Sequence, residues 1–413
     1  MVNCFSLGPA NMSKDSTSDP PNDKPDAMTQ APGVLAGNLG DPIRLANVTI
    51  DGVSAEAARG GEMLKVWTRL ALTSDDPVFH RMAEGLSNAI RHHISVAGVP
   101  LDIERVKTLL LVIKPDHTAE LWADTAAMWL SILTKRSIAA GTVVFEHDIV
   151  DVGKMAFPLV DIGAEDKVIC LFRQDWRFAL YFNFNPDKNF DQDEFQRTLG
   201  SLYRSLKYRH IYDAIGQKDI FDKLVAAGWF PFAEIITSEF HELIRHCEAG
   251  FDLKDVEDKI VAAFDEQRLD RMLQRWLAKP HFASREIVLR SALRSFNAND
   301  PVAVIKTVLT EIEGVLNAAH RATNGTGAKI KTLLAFATES AERKAGSPHT
   351  LLLPEAFASY LAARTYAHFD PTVGNGTAGS RHAVGHGEAA ADTYTQVAAL
   401  QALLTLDQLA FST

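Results

Sequence analysis

Val168-Ile-Cys-Leu-Phe-Arg173, Gln174-Asp175, Trp176-Arg-Phe-Ala-Leu-Tyr-Phe-Asn-Phe184: two apolar runs around a short polar turn, in a chain of 413 residues. Trp176, Phe178, Leu180, Phe182 and Phe184 alternate with smaller or polar residues, which predicts a β-hairpin with one aromatic face. Upstream, Thr108–Ile113, closed by Lys114-Pro115-Asp116, reads as a buried strand, Leu121–Leu133 as a helix and Thr142–Phe145 as another strand. Earlier still, Leu64, Trp67 and Leu70, then Phe79, Met82, Leu86 and Ile90, recur at three- and four-residue spacing and predict helix from Gly61 to about Ala97. With a helix from Asp193 to Ile215 behind the hairpin, residues 60–215 read as an α+β domain.

Beyond Gly228-Trp229-Phe230-Pro231 the strand signals end and helical periodicity takes over. Ile305, Leu309, Ile312 and Leu316 follow Asn299-Asp300-Pro301, where Asp300 suits the N-cap and Pro301 the first helical position. Ile330, Leu333, Leu334 and Ala337 mark a second helix. Phe357, Tyr360 and Leu361 mark a third, and Tyr394, Val397, Leu400 and Leu404 a fourth. The fold class expected is an α+β N-terminal domain followed by an all-α C-terminal bundle over 299–413, with a helical connector at 230–298. Residues 1–45 are rich in Pro, Ser, Asp, Asn and Gly and predict a disordered leader, with Met12 or Met28 as alternative starts to Met1.

Composition bounds the function. The length suggests two or three domains, and 46% hydrophobic with 23% charged residues is the balance of a chain that builds a core. A net charge of −10 excludes holding nucleic acid by bulk electrostatics alone, leaving only a local basic patch. No apolar run is long enough to cross a bilayer and the N-terminus lacks a secretory pattern, so no membrane partner and a cytoplasmic location are expected. Cys4, Cys170 and Cys247 are odd in number and widely spaced, which indicates neither a disulfide framework nor a thiolate metal site.

Among motifs, His241-Glu242 with His246 has the residues of a zinc-protease helix but a spacing of five, which turns the second ring about 140° from the first and argues against a metal site. Neighbouring His92 and His93 diverge on a helix. Neither a P-loop nor a G-x-S-x-G elbow is present. The segment Ser380-Arg381-His382-Ala383-Val384-Gly385-His386-Gly387-Glu388 differs in kind. It follows the Gly-rich stretch Asp370–Gly379 and is expected to open the last amphipathic helix. An arginine able to fork onto phosphate oxygens, with a histidine able to move protons near neutral pH, suffices to cleave RNA through its own 2′-hydroxyl.

The chain here resembles the HEPN superfamily of helical-bundle domains, in which an arginine, four to six residues and a histidine stand at the start of the last core helix. The form Arg-His-x-x-x-His-Gly is similar to that of a bacterial subgroup whose earlier helix carries Ile-Glu-Gly, present here as Ile312-Glu313-Gly314. The resemblance spans about Phe282 to Thr413. It departs at Ser380, where relatives often have Asn. It implies an endoribonuclease or RNA-binding fold that needs no metal or cofactor, often dimeric through the bundle so that two motifs meet, and often found in toxin–antitoxin or phage-defence systems with an antitoxin or defence partner. It assigns Arg381 and His386 as catalytic, with Glu313 and His382 in support. The alternative it leaves is a nonenzymatic module binding RNA, a nucleotide or a protein.

In the first domain, Phe195–His210 concentrates Arg197, Arg204, Lys207 and Arg209, with Arg197 and Arg204 on one face. One reading is an RNA-binding surface with Tyr203 and Tyr208 for stacking; the other is a solvated face over buried Leu199, Leu202 and Leu206.

Overall fold

The computed structural model describes residues 36–345, 349–370, 372 and 376–413. Residues 36–137 and 144–413 form one compact unit; residues 138–143 belong to the other and carry a turn at Ala140-Gly141. Of the leader expected over 1–45, residues 1–35 lie outside the described residues. Its last residues are ordered, because Ile43–Leu45 (β1) pairs with Ala119–Ala123 (β4).

The hairpin is present as β7 (Lys167–Gln174) and β8 (Arg177–Asn183), the centre of a six-stranded antiparallel sheet that also holds β2 (Arg69–Thr73) and β3 (Thr108–Ile113), in the order β1-β4-β3-β7-β8-β2. Both faces are covered. Leu109, Leu111, Ile169, Leu180, Phe182 and Phe184 pack beneath α1 (Phe79–Val96), whereas Leu110, Val112, Cys170 and Tyr181 pack beneath α2 (Gln192–Lys207). Period-two alternation sends neighbouring residues to opposite cores. Phe178 joins the α1 face, but Trp176 sits in the turn and is exposed.

Three expectations fail in this part. Leu121–Leu133 is no helix: it holds β4 and the start of β5 (Trp129–Thr134), separated by Asp124, whose carboxylate accepts from the Lys107 and Thr108 N–H groups at 3.0 and 2.7 Å. Gly61 to Leu70 is loop and strand, with Trp67 bridged to Val53 through both backbone groups. Thr142–Phe145 is not a strand. Instead β5 pairs with β6 (Ile149–Ala156) in a separate two-stranded ribbon.

The rest is helical: α3 (Arg209–Gly216), α4 (Lys218–Ala226), α5 (Ser238–Glu248), α6 (Lys254–Ala262), α7 (Glu266–Leu277), α8 (Pro280–Ala283), α9 (Glu286–Asn297), α10 (Pro301–Asn324), α11 (Ile330–Ala345), α12 (Pro354–Tyr360), α13 (Arg381–His386) and α14 (Gln396–Ser412). α10 begins as its sequence predicts, with Asp300 accepting from the Ala303 N–H at 3.0 Å and Pro301 in the first turn. Residues 230–298 are not a separate connector, since Phe232, Leu243, Trp276 and Leu289 share one core with Val308, Leu316 and Leu403.

α14 is the axis of that core. Expected to be amphipathic, it is buried on every side along its last fourteen residues, and a helix apolar all round belongs inside. Polar residues within it are bonded: Gln401 Nε2 donates to the Ala227 carbonyl at 2.9 Å, and Gln408 accepts from the Ala233 N–H at 2.8 Å. Asp407 accepts from Trp276 Nε1 at 2.7 Å and from Arg275 Nη2 at 2.7 and 2.8 Å. No helix among the described residues is long and apolar enough to cross a membrane.

His210 gives this fold a pH dependence. Burial, then the neighbouring His241 ring at 5.0 Å, pushes its imidazole down to about 4, and its Nε2 is buried without a partner. The unfolded chain takes up this proton near pH 6.5 and the folded chain only near 4, so stability falls as pH drops through that window. His281, also pushed down to about 4 by burial and by Lys279 and Lys344, adds to the fall. His210→Gln should therefore lose less of its urea midpoint between pH 7 and 5 than the natural chain; equal losses would contradict this assignment.

Candidate functional site

The Arg-x4-His motif lies on its own short helix, α13, and not at the start of α14. Ser380 caps it: the hydroxyl accepts from the Ala383 N–H at 3.4 Å and donates to the Ala367 carbonyl at 3.3 Å. The serine that departs from the pattern thus starts the helix and ties it to Ala367, in the segment that follows α12. Gly387, at φ +77°, stops the helix in a left-handed conformation. The Gly-rich stretch before it is pinned at its end, where the Ala390 N–H donates to the Gly376 carbonyl at 2.9 Å and the Ala378 N–H to Thr393 Oγ1 at 2.9 Å; residues 371 and 373–375 lie outside the described residues.

Arg381, at the first position of α13, reaches α10: its Nη2 lies 2.8 Å from Glu313 Oε2, both side chains about a third exposed at 33% and 29%. The two motifs that carry the family resemblance are therefore in contact. Each residue of Ile312-Glu313-Gly314 has a distinct part. Ile312 is fully buried in the core, and Glu313 holds Arg381. Gly314 lets the Arg285 guanidinium lie against the helix, where a β-carbon would come within 2.6 Å of it, and Arg285 pairs there with Glu311.

Two polar atoms at this spot have no partner: Arg381 Nε and the Tyr366 hydroxyl are both buried and unbonded. Burial, then the Glu313 carboxylate, pushes the Tyr366 phenol well above its usual range, against the pull of Arg381. Buried polar groups are almost always bonded, so two orphans beside one ion pair are uncommon. Tyr366, in the turn that follows the helix of Phe357 and Tyr360, had no mark in the sequence.

His386, at the last position of α13, is exposed, and its ring stacks on Phe369 with centroids 6.2 Å apart and planes 24° from parallel. Five residues of helix turn it about 140° from Arg381. The arginine faces Glu313 and the histidine faces Phe369, so one chain does not bring the two together. His382 stands beside Arg381, partly exposed.

The basic residues of the sheet domain do not form the surface expected of them. Arg204 is fully buried; it donates to the Val152 carbonyl and lies 3.6 Å from Asp151, because α2 turns that face onto β6. Tyr208 is buried too and cannot stack on a base. Arg197 pairs with Asp193 at 3.0 Å, Lys207 with Glu146 at 3.2 Å, and Arg209 with Asp75 at 2.9 Å and Asp213 at 2.7 Å. His241 stands against His210, and His246 against Phe251 and the Asp252 carbonyl. Among the described residues no group of three or more His, Cys, Asp or Glu is placed to hold a metal ion.

Compared with protein-family profiles, with curated proteins and with solved structures, the chain matches none.

A pair this exposed holds little of the fold, since partly solvated ion pairs contribute about 1 kcal/mol or less. Glu313→Gln and Arg381→Ala are each expected to change the unfolding free energy by no more than that in urea melts. A loss of several kcal/mol would mean that the pair holds the bundle together.

Proposed function

We propose that the C-terminal helical part is a HEPN-like ribonuclease of the phage-defence or toxin type, cleaving RNA by attack of the substrate's own 2′-hydroxyl on the adjoining phosphorus. The observation that carries this reading is the 2.8 Å contact between Arg381 and Glu313, which joins the Ile-Glu-Gly and Arg-x4-His motifs into one place. Glu313 orients the guanidinium, and the third of the Arg381 side chain that stays exposed is the part that meets a phosphate oxygen. Exposed His386 takes the 2′-hydroxyl proton or gives one to the leaving 5′-oxygen. Because the substrate supplies the nucleophile and Arg381 the charge, this route needs no metal.

The opposed directions of Arg381 and His386 favour a composite site. A symmetric homodimer through the C-terminal bundle, with the arginine of one copy beside the histidine of the other, completes it. An antitoxin or other defence partner that covers this surface would silence it. The competing reading, a module that binds RNA, a nucleotide or a protein without cleaving, is supported by the clamped state of Arg381, and the same experiment decides between them.

Purified protein should cleave a mixed RNA pool in EDTA and leave 2′,3′-cyclic phosphate ends. Arg381→Ala, His386→Ala and the double variant should each lose activity to nearly the same depth, because groups serving one transition state are strongly non-additive. His382→Ala should lose less. Cleavage abolished by EDTA, or full activity in folded Arg381→Ala and His386→Ala, would sink the ribonuclease reading.

A further inference from the structure

Away from the motif, a cavity of about 320 Å³ opens between the β5–β6 ribbon and helices α5 and α7. Its hydrogen-bond accounting is one-sided. The carboxylates facing it are engaged: Glu234 accepts from Arg268 Nε at 3.0 Å and Arg275 Nη2 at 2.9 Å, and Glu239 accepts twice from Arg268 at 2.5 and 3.3 Å. Asp148 takes both prongs of Arg136 at 2.7 and 2.9 Å, and Asp265 accepts from the Arg268 N–H at 2.7 Å.

The donors are not used up. Lys135, only 9% exposed, gives one N–H to the Glu234 carbonyl at 2.9 Å, which leaves the rest of its ammonium without an acceptor. The Ser238 and Glu239 N–H groups open the eleven-residue α5 with no side-chain cap from Thr237 and no backbone acceptor. Exposed Arg271 has no ion pair among the described residues. Lys135 is the buried member of this set, while Ser238 and Arg271 face solvent, so the donors run from the floor of the cavity to its mouth and their complement is a negatively charged ligand rich in acceptors.

The rim adds a second kind of recognition. His147 lines the cavity and lies parallel to Phe145, with centroids 5.4 Å apart and planes 9° from parallel, both rings exposed. Such a pair offers an open face to a third aromatic ring. The volume lies in the range of small-molecule sites.

We propose that this cavity binds a nucleoside mono- or diphosphate, with its phosphate against Lys135 and the first turn of α5, Arg271 closing over it and the base stacked on His147. This site is independent of the ribonuclease reading and stands or falls without it.

Isothermal titration of the full chain with ADP, inorganic phosphate and adenosine tests it. ADP should bind more tightly than phosphate, and adenosine least. Lys135→Met, which keeps length and removes charge, and Arg271→Ala should each weaken ADP by about tenfold or more, the effect of losing a charge-assisted hydrogen bond. His147→Ala should weaken ADP but leave inorganic phosphate unchanged. Arg271 and His147 are exposed, so their variants decide the matter even where Lys135→Met fails to fold. Absence of ADP binding at millimolar concentration, or ADP affinity unchanged in both Arg271→Ala and His147→Ala, would overturn the proposal.

Discussion

Arg275 is the constraint on which the helical part depends. Its guanidinium donates to both oxygens of Asp407 and to Glu234, and the last two are almost fully buried, on α14 and on the segment before α5. Arg268 and Lys135 complete the network, so that the ribbon, α5, α7 and α14 meet on one set of charges. Burial pushes the Asp407 carboxyl up, against the pull of Arg275. Burial also works against the charge of Glu234, but Arg275, Lys135 and Arg268 more than offset it and hold that carboxyl below its ordinary range. Ions buried this way add little net stability, yet removing one partner costs about 3–5 kcal/mol because the others stay unpaired. Such a network fixes position more than it adds stability. It sets α14 in the centre of the core, α10 packs along α14, and α10 carries Glu313 to Arg381.

A second buried contact binds the same end of the ribbon, through Asp151, which pairs with Leu133. Asp151 of β6 accepts from the Thr350 hydroxyl and from the Leu351 N–H at 3.3 Å, while Arg204 of α2 lies 3.6 Å away. An arginine that the sequence left between an RNA-binding surface and a solvated face is thus neither, but an internal tie between a helix and a ribbon. Charge counted along a helix does not reveal which turn is covered; only the packing of α2 on β6 does.

What was legible follows from how local each signal is. The β7–β8 hairpin and the start of α10 were legible because alternation, a two-residue turn and an Asp-Pro cap act within a few residues. The stretch around Leu121–Leu133 was not, because a mixed apolar run fits helix and strand alike, and the deciding group is Asp124, bonded to the start of β3. Trp67 was misread because its partner, Val53, lies on another segment. α14 was recognised as a helix, but its burial on all sides depends on donors contributed by Arg275, Trp276 and Ala233. At the site, Arg381 and Glu313 were legible as two motifs; Tyr366, Arg285 and Phe369 were not, since they act only through proximity. The five-residue spacing that argued against a metal at His241 and His246 has the same consequence for Arg381 and His386. Two side chains so placed on one helix face different neighbours, which is why a second copy enters the proposed chemistry.

That point admits a direct test by RNA cleavage with dimers formed from equal amounts of Arg381→Ala and His386→Ala chains. If the arginine of one copy works beside the histidine of the other, mixed dimers keep one intact composite site, and the mixture recovers about a quarter of the natural activity although each variant alone has almost none. A mixture that forms mixed dimers and stays as inactive as its parts would show that the two residues do not meet across the interface.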